Sequence, residues 1–149
     1  MTVLLISGTS TDVGKTVMTA ALAATFASAG ARVAVCKPAR TGVSSAAPGD
    51  LAHVERLTGV SRLFEFARYQ DPLASNVAAR RSALPELVLD DVVTSIRRID
   101  AEVVLVEGAG GLLVRFGDTF ALPDVGRRLE APVLVVCSAG LGTLNRRRR

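Results

Sequence analysis

Lys15 and Lys37 are the only lysines in this chain; the other 16 of its 18 basic residues are arginine. A compact ammonium and a planar guanidinium fork do different chemistry, so a lysine kept where arginine fills every other basic position marks a point charge with a target. Lys15 closes the stretch "GTSTDVGKT", Gly8 to Thr16. Glycine there lets backbone N–H groups approach anionic oxygens, the lysine adds mobile positive charge, and a threonine hydroxyl is a hard-oxygen ligand for magnesium. The chemistry is the cradling of a polyphosphate. Five residues separate Gly8 from Gly14 where the common loop has four, with Thr9 standing at the first glycine position, so the loop is a variant. Lys37 lies in "CKPARTG" beside Arg40 and Thr41, and Pro38 excludes it from helical geometry and predicts that it extends beyond a strand. A lysine there reaches a transferring phosphoryl group or a carboxylate-like substrate.

Two carboxylates suit the same site. Glu107 follows the apolar run Val103–Val106 and precedes Gly108, Ala109, Gly110 and Gly111. It reads either as a metal-side carboxylate opposite Thr16 or as a strand-end acid facing solvent, and the glycines favour the first, since close backbone approach to an oxyanion accounts for them. Asp50 is the only acid between Asp12 and Glu55. It is either a third oxygen donor or the N-cap of a helix from Leu51.

The elements that must position these groups follow from apolar patterning. Strands are predicted at Val3–Ile6, Arg32–Cys36, Val103–Val106 and Val133–Cys137, and helices at Lys15–Ala29, Leu51–Leu57, Pro85–Ile99 and Leu122–Leu129. Buried strands alternating with helices predict an α/β fold with a mostly parallel sheet covered on both faces. Ligands in such sheets collect at the carboxyl ends of the strands. Each predicted strand end carries polar or glycine-rich residues, and two carry the lysines. The small, polar stretch Thr41–Gly49 reads as a mobile loop.

Composition narrows the function classes. A 149-residue chain that is 49% hydrophobic builds one core and is not disordered. The net charge of +4 sits entirely in Arg146–Arg149, the remaining 14 basic residues matching 14 acidic ones, so no nucleic-acid partner is expected. No apolar run approaches a membrane span and no signal-type segment opens the chain, which predicts a cytoplasmic protein with no membrane partner. Cys36 and Cys137 are far apart and read as small buried hydrophobes. His53, the only histidine, is expected on a helix face after Asp50 and gives a histidine triad nothing to stand on.

In this order the motifs resemble those of dethiobiotin synthetase, the ATP-dependent ring-closing family of biotin synthesis. The resemblance lies in "GTSTDVGKT", "CKPARTG", "GDLAHV", "LVEGAGGLLV" and "GLGTLN", and it covers residues 1–145. It implies a P-loop NTPase-like α/β fold and a reaction in which carbon dioxide adds to one amine of diaminopelargonic acid, ATP phosphorylates the carbamate, and the second amine closes the ring. It implies ATP as co-substrate and Mg2+ as cofactor. Asp12, Val13, Gly14, Lys15, Thr16 and Val17 would wrap the phosphates, joined on the ATP side by Asp50, Glu107, Gly108, Ala109 and Gly110. Thr16, Asp50 and Glu107 would hold magnesium. Lys37 would stabilise carbamate and phosphoryl charge, with Lys15 on the terminal phosphates and Thr11 and Thr41 positioning the diamine. The family's chains run on by roughly half this length again, so the resemblance implies one α/β domain over residues 1–145, incomplete at its C-terminus, with 146–149 outside the fold, and a homodimer for the full-length chain. Two other readings stay open. One is a partner-regulated ATPase of the chromosome- or division-site-positioning type, although Thr9, Ser10 and Thr11 offer no early loop lysine. The other is an inactive fragment that keeps phosphate binding.

Overall fold

A computed structural model describes residues 1–42, 49–140 and 143. In chain order the elements are β1 (Thr2–Gly8), α1 (Lys15–Ser28), β2 (Val33–Arg40), α2 (Asp50–Thr58), β3 (Leu63–Arg68), α3 (Ser75–Arg81), α4 (Leu89–Arg97), β4 (Val103–Glu107), α5 (Leu122–Leu129) and β5 (Val133–Val136). The strands form a five-stranded sheet in the order β3-β2-β4-β1-β5, and every pairing is parallel.

Strand alternation divides the apolar residues between two cores. Val3, Leu5, Ala34, Cys36, Val104 and Val106 face one layer with Val92, Val93 and Ile96 of α4 and Val125 of α5. Ile6, Val33, Val35 and Leu105 face the other, with Ala20 and Ala23 of α1 and Leu51 and Val54 of α2. Both faces are apolar, which is why β1, β2 and β4 read as unbroken hydrophobic runs. A fully buried Leu, Ile or Val contributes about 1.5–3 kcal/mol on transfer scales. Small residues on α1 let that helix lie close to the sheet, and a Val-Val-x-x-Ile stripe gives α4 its buried face. Cys36 is buried, as expected, and burial pushes its thiol up. Cys137 is half-buried and, like Cys36, unpaired.

Three expectations need correcting. The helix placed at Pro85–Ile99 begins only at Leu89, because Val88 is extended and the Pro85 carbonyl accepts a hydrogen bond from the buried Tyr69 hydroxyl (2.8 Å). Lys37 does not lie beyond its strand: β2 runs on to Arg40, with Lys37 opposite Glu65 of β3. Pro38 is tolerated there because pairing with β4 has already ended at Cys36 opposite Val106, and the register with β3 passes from Lys37 to Ala39. Neither β3 nor α3 was expected. The predicted loop between Thr41 and Gly49 falls largely on residues 43–48, and the "GLGTLN" segment and Arg146–Arg149 largely on 141–142 and 144–149; these lie outside the described residues. Among the described residues no helix is long and apolar enough to cross a membrane.

Candidate active site

The loop after β1 is shaped by close packing. A Cβ on Gly8 would lie 2.5 Å from Val13 Cγ1 and 3.1 Å from Lys15 Cγ, so only glycine lets the loop fold back over the strand end. Gly14, at φ +103°, is the N-cap of α1 in the left-handed region. Helix α1 has no side-chain cap and no acid in its first turn, so its leading N–H groups and dipole keep their affinity for an anion. Lys15 is buried and donates from Nζ to the Ser10 carbonyl oxygen (2.8 Å), arching across the loop. Burial, and then the Lys37 charge, lowers its pKa from the usual lysine value.

Opposite the loop is a compact polar cluster. Glu107, only 1% exposed at the end of β4, accepts at Oε1 from Thr16 Oγ1 (2.9 Å) and from Lys37 Nζ (2.8 Å). Lys37 Nζ also pairs with Asp50 Oδ2 from the first turn of α2. Burial alone would pull the Lys37 ammonium down, but the Glu107 and Asp50 carboxylates outweigh it and hold it above the usual value. Burial pushes Asp50 up, and the charge and hydrogen bond of Lys37, with Arg40 and His53 behind them, overcome this and leave it below the usual carboxylate range. Glu107 is therefore not a solvent-facing acid. The α2 N-cap is Gly49 and not Asp50, whose carboxylate turns to Lys37 instead.

These groups line one cleft of about 860 Å³ at the carboxyl ends of β1, β2 and β4. Thr11, Asp12, Gly14, Lys15, Thr16 and Val17 form one wall, and Lys37, Thr41, Asp50, Glu107, Ala109 and Gly110 meet them there. Two expected residues do not line it. Val13 packs over Gly8, and Gly108 donates its N–H to the Ile6 carbonyl oxygen (2.8 Å) and lies where a Cβ would meet Leu122 at 2.9 Å. Gly108 thus packs closely against α5. The sequence reading missed the wall formed by Pro72, Leu73, Ala74 and Ser75. The signal was available in "LFEFAR": a strand there would have marked the following segment as another strand end. His53 lies on α2, as expected, and also faces the cleft.

Buried Arg40 lies against Gly49, where an added Cβ would come 2.3 Å from Nη1 and 2.6 Å from Cζ. Gly49 has an extended backbone that any residue adopts, so its role is to leave space for the guanidinium. Gly49→Ala should therefore lower the urea midpoint of unfolding by the equivalent of about 1–3 kcal/mol, and should cost clearly less when made in an Arg40→Ala background. The same cost of Gly49→Ala in both backgrounds would show that the two residues do not share this space.

The donor set suits magnesium. Glu107 Oε2 is buried and has no hydrogen-bond partner, so an acceptor oxygen is left over. The Thr16 hydroxyl and both carboxylates are hard oxygens on one cleft. Among the described residues no group of three or more His, Cys, Asp or Glu could hold a metal ion. Magnesium needs no such cage, because it takes one or two carboxylates together with waters and phosphate oxygens.

Comparison with known proteins agrees with this geometry. The ATP-dependent dethiobiotin synthetase BioD of Rhodococcus jostii is 60% identical over 148 residues, covering 97% of this chain and 64% of that protein. Its counterpart in Streptomyces avermitilis is 55% identical over 148 residues, covering 97% and 62%. The chain thus spans less than two thirds of the length of these curated relatives. Among solved structures, the signal recognition particle receptor FtsY from Elizabethkingia anophelis aligns with a TM-score of 0.58 at 26% identity, over 99% of this chain and 45% of that one. The AAA domain family matches residues 2–147, so the chain belongs to that family, and within it the similarity is to the dethiobiotin synthetases.

Proposed function

We propose that this chain carries the nucleotide-, metal- and carbamate-handling part of an ATP-dependent dethiobiotin synthetase, a cytoplasmic enzyme whose full-length chain forms a homodimer. The observation that supports it best is the meeting of Lys15, Lys37, Thr16, Asp50 and Glu107 around one cleft at the strand ends. Phosphoryl transfer depends on positioning and charge neutralisation more than on a protein nucleophile, and this cleft offers two ammonium groups and a helix N-terminus for that purpose.

In this reading the N–H groups from Gly14 to Val17 hold the ATP phosphates, and Lys15 turns from Ser10 toward the terminal ones. Thr16, Asp50 and Glu107 would hold magnesium, which when bound offsets phosphate charge that the lysines alone leave uncancelled. Thr11 and Thr41 position the diamine. Carbon dioxide and one amine give a carbamate and a proton. The carbamate oxygen takes the terminal phosphoryl group and ADP leaves, and the second amine then attacks the carbonyl carbon, forming the new C–N bond as the C–O bond to phosphate breaks. Lys37 would stabilise the negative charge that accumulates in both steps.

Incubation of the chain with diaminopelargonic acid, bicarbonate and MgATP, followed by mass spectrometry, tests the reading. The expected product is dethiobiotin, with one ADP per ring. ATP hydrolysis without ring product, or hydrolysis that appears only with a protein partner, would overturn it.

A further inference from the structure

Lys37 is in a chemically unusual place for a group that acts on substrate. Its ammonium lies between two carboxylates, donating to Glu107 Oε1 (2.8 Å) and to Asp50 Oδ2, and the side chain is 5% exposed. The other lysine does not share this duty, since Lys15 Nζ donates to the Ser10 carbonyl oxygen. The oxygens that Lys37 bridges are the hard donors suited to a divalent ion, and Thr16 Oγ1 donates to the same Glu107 oxygen. A magnesium ion between Thr16 Oγ1 and Glu107 Oε1 needs contacts of about 2.0–2.1 Å, so at Oε1 it competes with the ammonium that donates there. Two like charges at such separation would also repel by several kcal/mol even at an effective dielectric of about 20. The ion and the ammonium therefore compete for the Glu107 and Asp50 oxygens that Lys37 bridges.

We propose that Lys37 is the site's built-in counter-cation: it bridges Asp50 and Glu107 while no divalent ion is present, and metal binding displaces its ammonium into the cleft. Displacement leaves the carboxylates with the metal and turns Nζ toward the open side of the cleft that Lys15 and Thr11 also line. Metal loading and the arming of Lys37 are then one event. A site loaded with nucleotide alone keeps Lys37 engaged with its carboxylates. The inference rests on the metal-binding part of the proposed function and not on ring closure.

The test uses Mn2+ alone, with no nucleotide and no diamine. Because the chain has only two lysines, acetylation by an activated ester followed by peptide mass spectrometry reports on each separately. Lys37 should be slow to label in the metal-free protein and should label roughly tenfold faster at saturating Mn2+, while Lys15 changes little. Calorimetry gives the converse: Lys37→Met, which removes the charge but keeps the chain length, should bind Mn2+ roughly tenfold more tightly than the natural protein. Labelling of Lys37 that is unchanged or slowed by Mn2+ would overturn the proposal even if the variant did not fold. Equal or weaker Mn2+ binding by a folded Lys37→Met variant would overturn it as well. Because neither readout involves turnover, a failed ring-closure assay beside a positive result here would count against the reaction assignment alone.

Discussion

If the proposed reaction is right, Lys37→Arg should lower ring closure by roughly 10²–10³-fold or more while changing nucleotide affinity less than about tenfold. Charge is conserved in this variant, so the loss isolates geometry. The ammonium is a compact donor whose three N–H groups diverge tetrahedrally, and two of them already point at Asp50 and Glu107. A guanidinium is planar and longer, and it would have to enter a place where the present side chain is 5% exposed and Arg40 already acts on Asp50. It would keep pairing with the carboxylates, which is what guanidinium does well, and would not deliver a single N–H to a carbamate or a transferring phosphoryl group. In the proposed reading nucleotide binding rests on other parts, the Gly14–Val17 backbone and Lys15, and should survive. The measurements are the turnover number for ring product and the dissociation constant of a non-hydrolysable ATP analogue. Comparable losses in both would remove the role assigned to Lys37. The composition makes the same point: a chain that uses arginine at 16 of its 18 basic positions would be expected to use it here too if charge alone sufficed.

How much of this arrangement could be read from the letters depended on burial. Strands β1, β2 and β4 are covered on both faces, and their unbroken apolar runs announce them. Strand β3 is an edge strand paired only with β2, half-buried along Leu63–Ala67, and it carries Glu65 and Arg68, so no apolar run marks it. With β3 unseen, the cleft wall that follows it was unseen too. The seven-residue α3 ends in two arginines, and its buried Ala78 and Ala79 become evident only when the sheet is there to pack against. At the site, residue types and strand-end placement were enough to bring the lysines and carboxylates into one neighbourhood. Spacing could not reveal that Lys37 would bridge the two carboxylates, because that contact joins residues 70 positions apart through the β2–β4 pairing. Nor could it separate Gly110, at φ +66° on the cleft, from Gly108, which packs against Leu122.

The cluster also makes a prediction about stability. Glu107→Gln should destabilise the fold by about 3 kcal/mol, which for a domain of this size lowers the melting temperature by roughly 6–12 °C. Glutamine has nearly the same shape and still offers an oxygen to Thr16 and Lys37, so packing is little changed. What disappears is the negative charge facing an ammonium deep in the protein, where water cannot replace it. Asp50 remains as a partner, but its side chain is 39% exposed and solvent screens it, so it compensates only in part. The reasoning extends to the double variant. Adding Lys37→Met removes the stranded ammonium, and Asp50, already in contact with water, tolerates its loss, so the pair should melt above Glu107→Gln alone. With Lys37→Met alone completing the cycle, the coupling between Lys37 and Glu107 is expected at about 1–3 kcal/mol for a buried contact pair. If Glu107→Gln melts within a degree or two of the natural protein and the second substitution restores nothing, the ion pair contributes no stability. The retention of two charges in this interior would then have to be explained by catalysis alone.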